Sequence, residues 1–198
     1  MMNEFLYYNT AVYRKELPHL VDSTTNCIRD FINRQRGLQQ KDQLSVNKIQ
    51  TDVLQYEPEL EKIHNYFLEA SINILENQGY NTSLYNFYPI SWAQSLAFPT
   101  YHDFHIHPQT AITALYFLQT PENGSVPVFE DPRPGKNITD LECYETTDIK
   151  HSTREIHFVP IPGTMLLFNS WLPHRLSQNQ SEIPTMFVHM CLQYQRKM

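Results

Sequence analysis

Three histidines and an acid crowd into one short run, Tyr101-His102-Asp103-Phe104-His105-Ile106-His107-Pro108. Neutral imidazole binds iron, zinc, copper and nickel, so the run is a candidate metal site whose residue types leave the metal open. It lies between two segments that read as β-strands. Successive side chains of a strand alternate between faces. That puts Asp103, His105 and His107 on one face and His102, Phe104 and Ile106 on the other. Two histidines two apart on one face can converge on a single ion, which then needs a third ligand from elsewhere.

The remaining histidines supply that candidate. His19 and His64 fall in a helical half, His64 beside an apolar stripe where packing explains it. His151 and His157 lie in or near a polar excursion. His189, between Val188 and Met190, reads as a half-buried core residue. His174 follows Phe168-Asn-Ser-Trp-Leu-Pro, just after a strand and a turn. A jelly roll sets the ends of distant strands side by side at its mouth, so His105, His107 and His174 can meet.

The elements that would position them change character along the chain. Phe5 to Tyr13 alternates like an edge strand. From Leu20 to Ile32 apolar residues recur at three and four, which predicts a helix stopped near Arg36-Gly37. A second helix starts at Pro58, carries Leu60, Ile63, Phe67, Ala70 and Ile74 on one stripe, and stops at Gly79. After residue 80 short β-like runs follow: Ile90–Leu96, the histidine strand, Ala111–Leu118, Val126–Phe129, Ile156–Ile161, Thr164–Phe168 and Thr185–Gln193. Residues 130–154 form a long polar loop with Pro132, Pro134 and Gly135, a length typical of functional loops. Two helices followed by regularly spaced strands predict an α+β chain that is mostly β, a jelly-roll core with helices packed outside it. One domain over 1–198 is expected, with helical support over about 1–85 and the core over about 86–198.

Bulk composition narrows the partners. The 198 residues are 41% hydrophobic and 13% aromatic, with net charge −6. Acidic balance and scattered basic residues argue against a nucleic-acid patch. Cys27, Cys143 and Cys191 are too few and too far apart for a disulfide framework or zinc knuckle, which fits a cytoplasmic location. No apolar run reaches membrane-spanning length, and the N-terminus lacks a signal-peptide pattern.

From about residue 90 to 191 the chain resembles the 2-oxoglutarate/Fe(II)-dependent oxygenase family. The residues carrying the likeness are Trp92, Tyr101–Pro108, Ala114-Leu-Tyr-Phe-Leu118, Val128-Phe-Glu-Asp-Pro-Arg-Pro134, Gly163-Thr-Met-Leu-Leu-Phe-Asn-Ser-Trp-Leu-Pro-His174 and Asn179-Gln-Ser181. Ser45-Val-Asn47 and the following helix match more weakly. The resemblance implies a double-stranded β-helix, with Fe(II) on His105, His107 and His174, 2-oxoglutarate and O2 as co-substrates, and hydroxylation of a C–H bond of an unidentified substrate. His107 stands where most of the superfamily has a carboxylate, which leaves the site more positive. Asp103 is a candidate acceptor for a ligand imidazole N–H or an exposed strand-edge residue.

The 2-oxoglutarate distal carboxylate calls for a cation, ideally a bidentate Arg. The superfamily's usual Arg position falls on Pro184 or Thr185. Arg175 and Arg133 are the substitutes, with hydroxyl help from Thr113 and Tyr116. Tyr116 also reads as a core aromatic and Arg133 as a loop residue capping a turn. Phe104 and Trp171 read as packing residues, and Glu130-Asp131 as a solvated loop. The missing Arg motivates a second reading, a three-histidine cupin-type enzyme that does not use 2-oxoglutarate. A third is a non-catalytic jelly-roll binding module.

Overall fold

The long apolar runs of the sequence become the middle of a large sheet that is covered on both sides. In the computed structural model, which describes residues 9–138, 141–142 and 148–198, β1 is Val12–Glu16, β2 Lys48–Gln50, β3 Tyr85–Leu96, β4 His102–His105 and β5 Thr110–Gln119. The chain continues with β6 Pro127–Glu130, β7 Glu155–His157, β8 Thr164–Asn169, β9 His174–Leu176 and β10 Thr185–Arg196; α1 is Val21–Lys41 and α2 Glu61–Asn77. Six strands form one sheet in the order β1-β8-β5-β10-β3-β2, and four form a second in the order β4-β9-β6-β7. All pairings are antiparallel.

The two faces of the large sheet do different work. Ala114, Tyr116 and Leu118 of β5, with Val188, Met190 and Leu192 of β10, pack against Ile28, Ile32, Ile63 and Phe67 of the helices. The alternate residues Leu115, Phe117 and Phe187 point inward and meet Phe129, Leu172 and Leu176 from the small-sheet side. A strand buried on both faces reads as a continuous apolar run rather than an alternating one, which is why 111–118 looks as it does. The jelly-roll expectation is borne out.

Several expected boundaries move. The first strand is Val12–Glu16, an edge strand on β8; Phe5 to Tyr8 lie outside the described residues. Gly37 does not stop the first helix, which runs on to Lys41. A helix interior tolerates one Gly at roughly 1 kcal/mol, and the last turn closes through Asp42 N–H to Leu38 O at 3.1 Å. The expected strand 156–161 shortens to Glu155–His157. β2 and β9, three residues each, are too short to show a period in sequence. Cys143 lies outside the described residues. Among the described residues, no helix is long and apolar enough to cross a membrane.

Candidate metal centre

The histidine run does not keep strict alternation. In the pairing of β4 with β9, His102 faces Leu176 and His105 faces His174, a one-residue offset that marks a bulge. A bulge breaks the two-residue period and re-aims side chains. The His102 ring therefore stacks on His105 at 4.3 Å between centroids, while Asp103, Phe104 and Ile106 are exposed. His107 lies beyond the end of β4. Its N–H donates to Ser170 O at 2.9 Å, and the Thr110 hydroxyl donates to its carbonyl at 2.9 Å. These bonds tie the loop after β4 to the turn between β8 and β9.

His174 opens β9, opposite His105 on one side and Phe129 on the other. The three rings converge, with centroid separations of 4.3 Å for His105–His174, 4.8 Å for His105–His107 and 5.2 Å for His107–His174. The His105 Nδ1–H donates to the Asp103 main-chain carbonyl at 2.8 Å, and the His174 Nδ1–H to Leu172 O at 2.9 Å. A carbonyl only accepts, so both bonds fix the tautomer that leaves Nε2 bare. Asp103 thus orients His105 through its backbone, not its carboxylate. The Nε2 atoms of His105, His107 and His174 are all buried without a partner, and one ligand atom from each lies within 4.8 Å of the others. Buried polar atoms are otherwise almost always bonded. Three histidines with bare nitrogens and ligand atoms this close together fit a metal ion.

Protonation agrees with that role. Burial pushes His174 down to about 3, with His105 and His107 lowering it further against the hydrogen bond to Leu172. His107 falls to about 4 through burial and then His105. His105 is lowered by burial despite its bond to Asp103. The imidazoles are neutral at neutral pH, the form a metal requires.

Behind the triad sits His189, expected as a half-buried core residue and found fully buried. His189 is 1% exposed, with neither ring nitrogen partnered. It stacks on Trp92 at 4.3 Å and meets His107 edge-on at 4.7 Å. His107, His189 and Cys191 also lie within ligand distance of one another. Burial holds the Cys191 thiol up at about 12, against the lowering hydrogen bond from Thr113, and a protonated thiol is a poor ligand. His105, His107 and His174 therefore remain the better set. The signal that could have found His189 is its place on the inward face of β10, two residues from Phe187.

The residues expected near 2-oxoglutarate do not gather there. Tyr116 is on the helix-facing side of β5, where its hydroxyl donates to Leu17 O at 2.8 Å. Arg175 alternates with His174 and so turns outward, pairing with Glu155 at 2.9 Å and lying over Phe104 at 5.0 Å. Arg133 is ion-paired with Asp131, whose side chain is buried rather than solvated. Thr113 does face inward, but its hydroxyl is bonded to Ser170 Oγ at 2.8 Å. At the expected Arg position, Thr185 Oγ1 accepts the Ser125 N–H at 2.9 Å. A groove of about 500 Å³ is lined by Phe129, Glu130, Asp131, Arg133, Phe158 and Leu172 among others; it reaches the triad only through Phe129, the strand partner of His174, and Leu172, whose carbonyl holds the His174 ring.

Residues 90–187, about half the chain, match the sequence model of the family described as "Putative 2OG-Fe(II) oxygenase". The chain belongs to this oxygenase family. It is an oxygenase of the class that uses Fe(II), 2-oxoglutarate and O2, with an unidentified substrate. Solved structures agree on the fold. A Pseudomonas putida prolyl-4-hydroxylase is 9% identical with a TM-score of 0.62, covering 96% of this chain and 94% of that one. AviO1 of Streptomyces viridochromogenes is 9% identical at 0.58, covering 92% and 90%. The carbocyclase SnoK from nogalamycin biosynthesis is 13% identical at 0.56, covering 92% and 79%. No curated protein matches the chain.

Proposed function

We propose that His105, His107 and His174 hold the oxygenase's Fe(II) and that the protein hydroxylates a C–H bond of its substrate. One observation carries the assignment: three histidines with buried, partnerless Nε2 atoms bring ligand atoms within 4.8 Å of one another, two of them locked in the right tautomer by main-chain carbonyls. With O2 and 2-oxoglutarate, iron bound there supplies the oxidant. The chain's own part is positional. Ser170 O fixes the backbone of His107, the carbonyls of Asp103 and Leu172 orient the other two rings, and Phe129 and Phe168 pack around His174 to keep water off its ring. A neutral histidine at 107 in place of a carboxylate leaves the bound ion with more positive charge, which strengthens its pull on an anionic chelator.

The substrate would enter along the groove lined by Phe129 and by Arg133, which lies in the first part of the long polar loop whose length is typical of functional loops. Its apolar floor and charged rim suit an extended chain or a ring system with polar substituents. We place the protein in the cytoplasm, consistent with free thiols at Cys27 and Cys191.

Anaerobic reconstitution with Fe(II) followed by 2-oxoglutarate tests the reading. The expected result is one iron per chain and a weak visible metal-to-ligand charge-transfer band. Iron without the band favours a three-histidine enzyme that does without 2-oxoglutarate. Failure to bind iron leaves a binding module.

A further inference from the structure

The usual cation position is empty of charge, yet the row it belongs to is not. Thr185 on β10 is directly opposite Leu96 on β3, and Leu96 is directly opposite Lys48 on β2. Directly paired residues share a face of a sheet. Leu96 belongs to the inward cluster, so Thr185 and Lys48 face the jelly-roll interior too. Ile49, one residue on, points the other way into the helix-side core, which confirms the register. Lys48 therefore occupies the row of the missing Arg, two strand spacings or roughly 10 Å across the sheet.

Its surroundings are built for an anion. Lys48 is half-buried, and its charge reaches His102 and His105. Among the described residues its ammonium makes no ion pair or hydrogen bond; Asp103 acts on it only at a distance. Gln94, fully buried on the same face, gives its Nε2 to Gln50 Oε1 at 2.7 Å and keeps Oε1 unpartnered. The Trp92 Nε1–H, further along that face, is also buried without an acceptor. A cation, an indole donor and a turnable amide thus line one strip beside the triad, and none is fully satisfied.

We propose that Lys48 receives the distal carboxylate of 2-oxoglutarate in place of the Arg absent at 184–185, with the interior-facing groups of Gln94 and Trp92 completing the anion site. This rests on the metal assignment above and deepens it. A lysine is a point charge without the fork of an Arg, so the second oxygen of the carboxylate needs a neighbouring donor, which the indole and amide can supply.

The test uses the anaerobic Fe(II)-loaded protein, with the charge-transfer band as the readout of binding, and calorimetry on the Mn(II)-loaded protein as a second. Two ligands are titrated: 2-oxoglutarate, and 2-oxobutyrate, which keeps the 2-oxo acid head but lacks the distal carboxylate. K48M and K48Q, each neutral at similar length, should weaken 2-oxoglutarate tenfold or more. They should leave 2-oxobutyrate and iron affinity within twofold, which also shows that they fold. K48R should keep most of the affinity. If K48M and K48Q bind 2-oxoglutarate within twofold of the parent, Lys48 is not the anchor. If the parent protein binds iron but not 2-oxoglutarate, the 2-oxoglutarate reading itself fails, and this inference falls with it.

Discussion

His64 and His189 are both buried, at 6% and 1% exposure, and burial lowers the proton affinity of each. They lie on opposite sides of the large sheet and are treated differently. His64, on α2, reaches Ser91 on β3 with Nε2 at 2.9 Å. His189, on the inward face of β10, has a partner for neither nitrogen. The helix side closes around its histidine as a core does. The inner side leaves imidazole nitrogens open, and on that side three more converge. An open buried nitrogen is costly unless something later fills it, so the contrast marks the side of the sheet that carries the candidate ligands better than burial does.

The largest effect should come from breaking the open side. H105A or H174A should abolish stoichiometric Fe(II) binding, measured as metal content after anaerobic reconstitution and desalting. H64A should keep iron and lose about 1–3 kcal/mol of stability, through the stranded Ser91 hydroxyl and the lost volume. Stoichiometric iron in H174A would remove the basis of the metal assignment.

The helix-side core offers the reverse experiment. Phe67 is fully buried against the sheet, and F67A should cost about 3–5 kcal/mol in denaturant unfolding. The folded fraction should bind iron as the parent does, because no inward-facing group is touched. An iron affinity reduced tenfold would mean that the two faces of the sheet are coupled, contrary to their separate clusters.

Acid should act mainly through the open side. His102 and His107 are held at about 4 and His174 at about 3, against an ordinary value of 6.5. Their native proton affinity is depressed, so between about pH 6.5 and 4 the unfolded chain binds more protons than the folded one. Stability is then complete above pH 6.5 and is lost as pH falls. The metal-free protein should show denaturation midpoints that drop from pH 7 to pH 5, and a triple H105Q/H107Q/H174Q variant should flatten that slope. A midpoint indifferent to pH would mean that these imidazoles are not buried and neutral.

What the sequence shows and hides follows from the range of the forces involved. The apolar runs at 111–118 and 185–193 carry their burial in their composition, and the stripe of α2 shows its period, so layers and helices were legible. His105, His107 and His174 were legible as a set because two share a local spacing and the third follows a strand and turn. The bulge at β4 was not, because it depends on pairing with β9, and it reversed the faces of His102 and Asp103. Arg175 failed for a simpler reason, since adjacency to His174 along a strand means the opposite face; Tyr116, an odd three residues from inward-facing Thr113, falls on the helix side by the same alternation. Lys48 was invisible because its relation to the site runs through two strand pairings, not through sequence distance.

The smallest and sharpest test bears on His189 itself. H189F keeps an aromatic ring to stack on Trp92, now at 4.3 Å from the imidazole, and removes two unpartnered nitrogens. Replacing an unsatisfied buried polar group by an apolar one of similar shape is neutral or stabilising, so the metal-free variant should gain about 1 kcal/mol in chemical denaturation. Iron uptake should persist, because the triad is unchanged. Loss of iron in H189F would instead make His189 a ligand alongside His107, and the two buried histidines would then differ as ligand and packing residue.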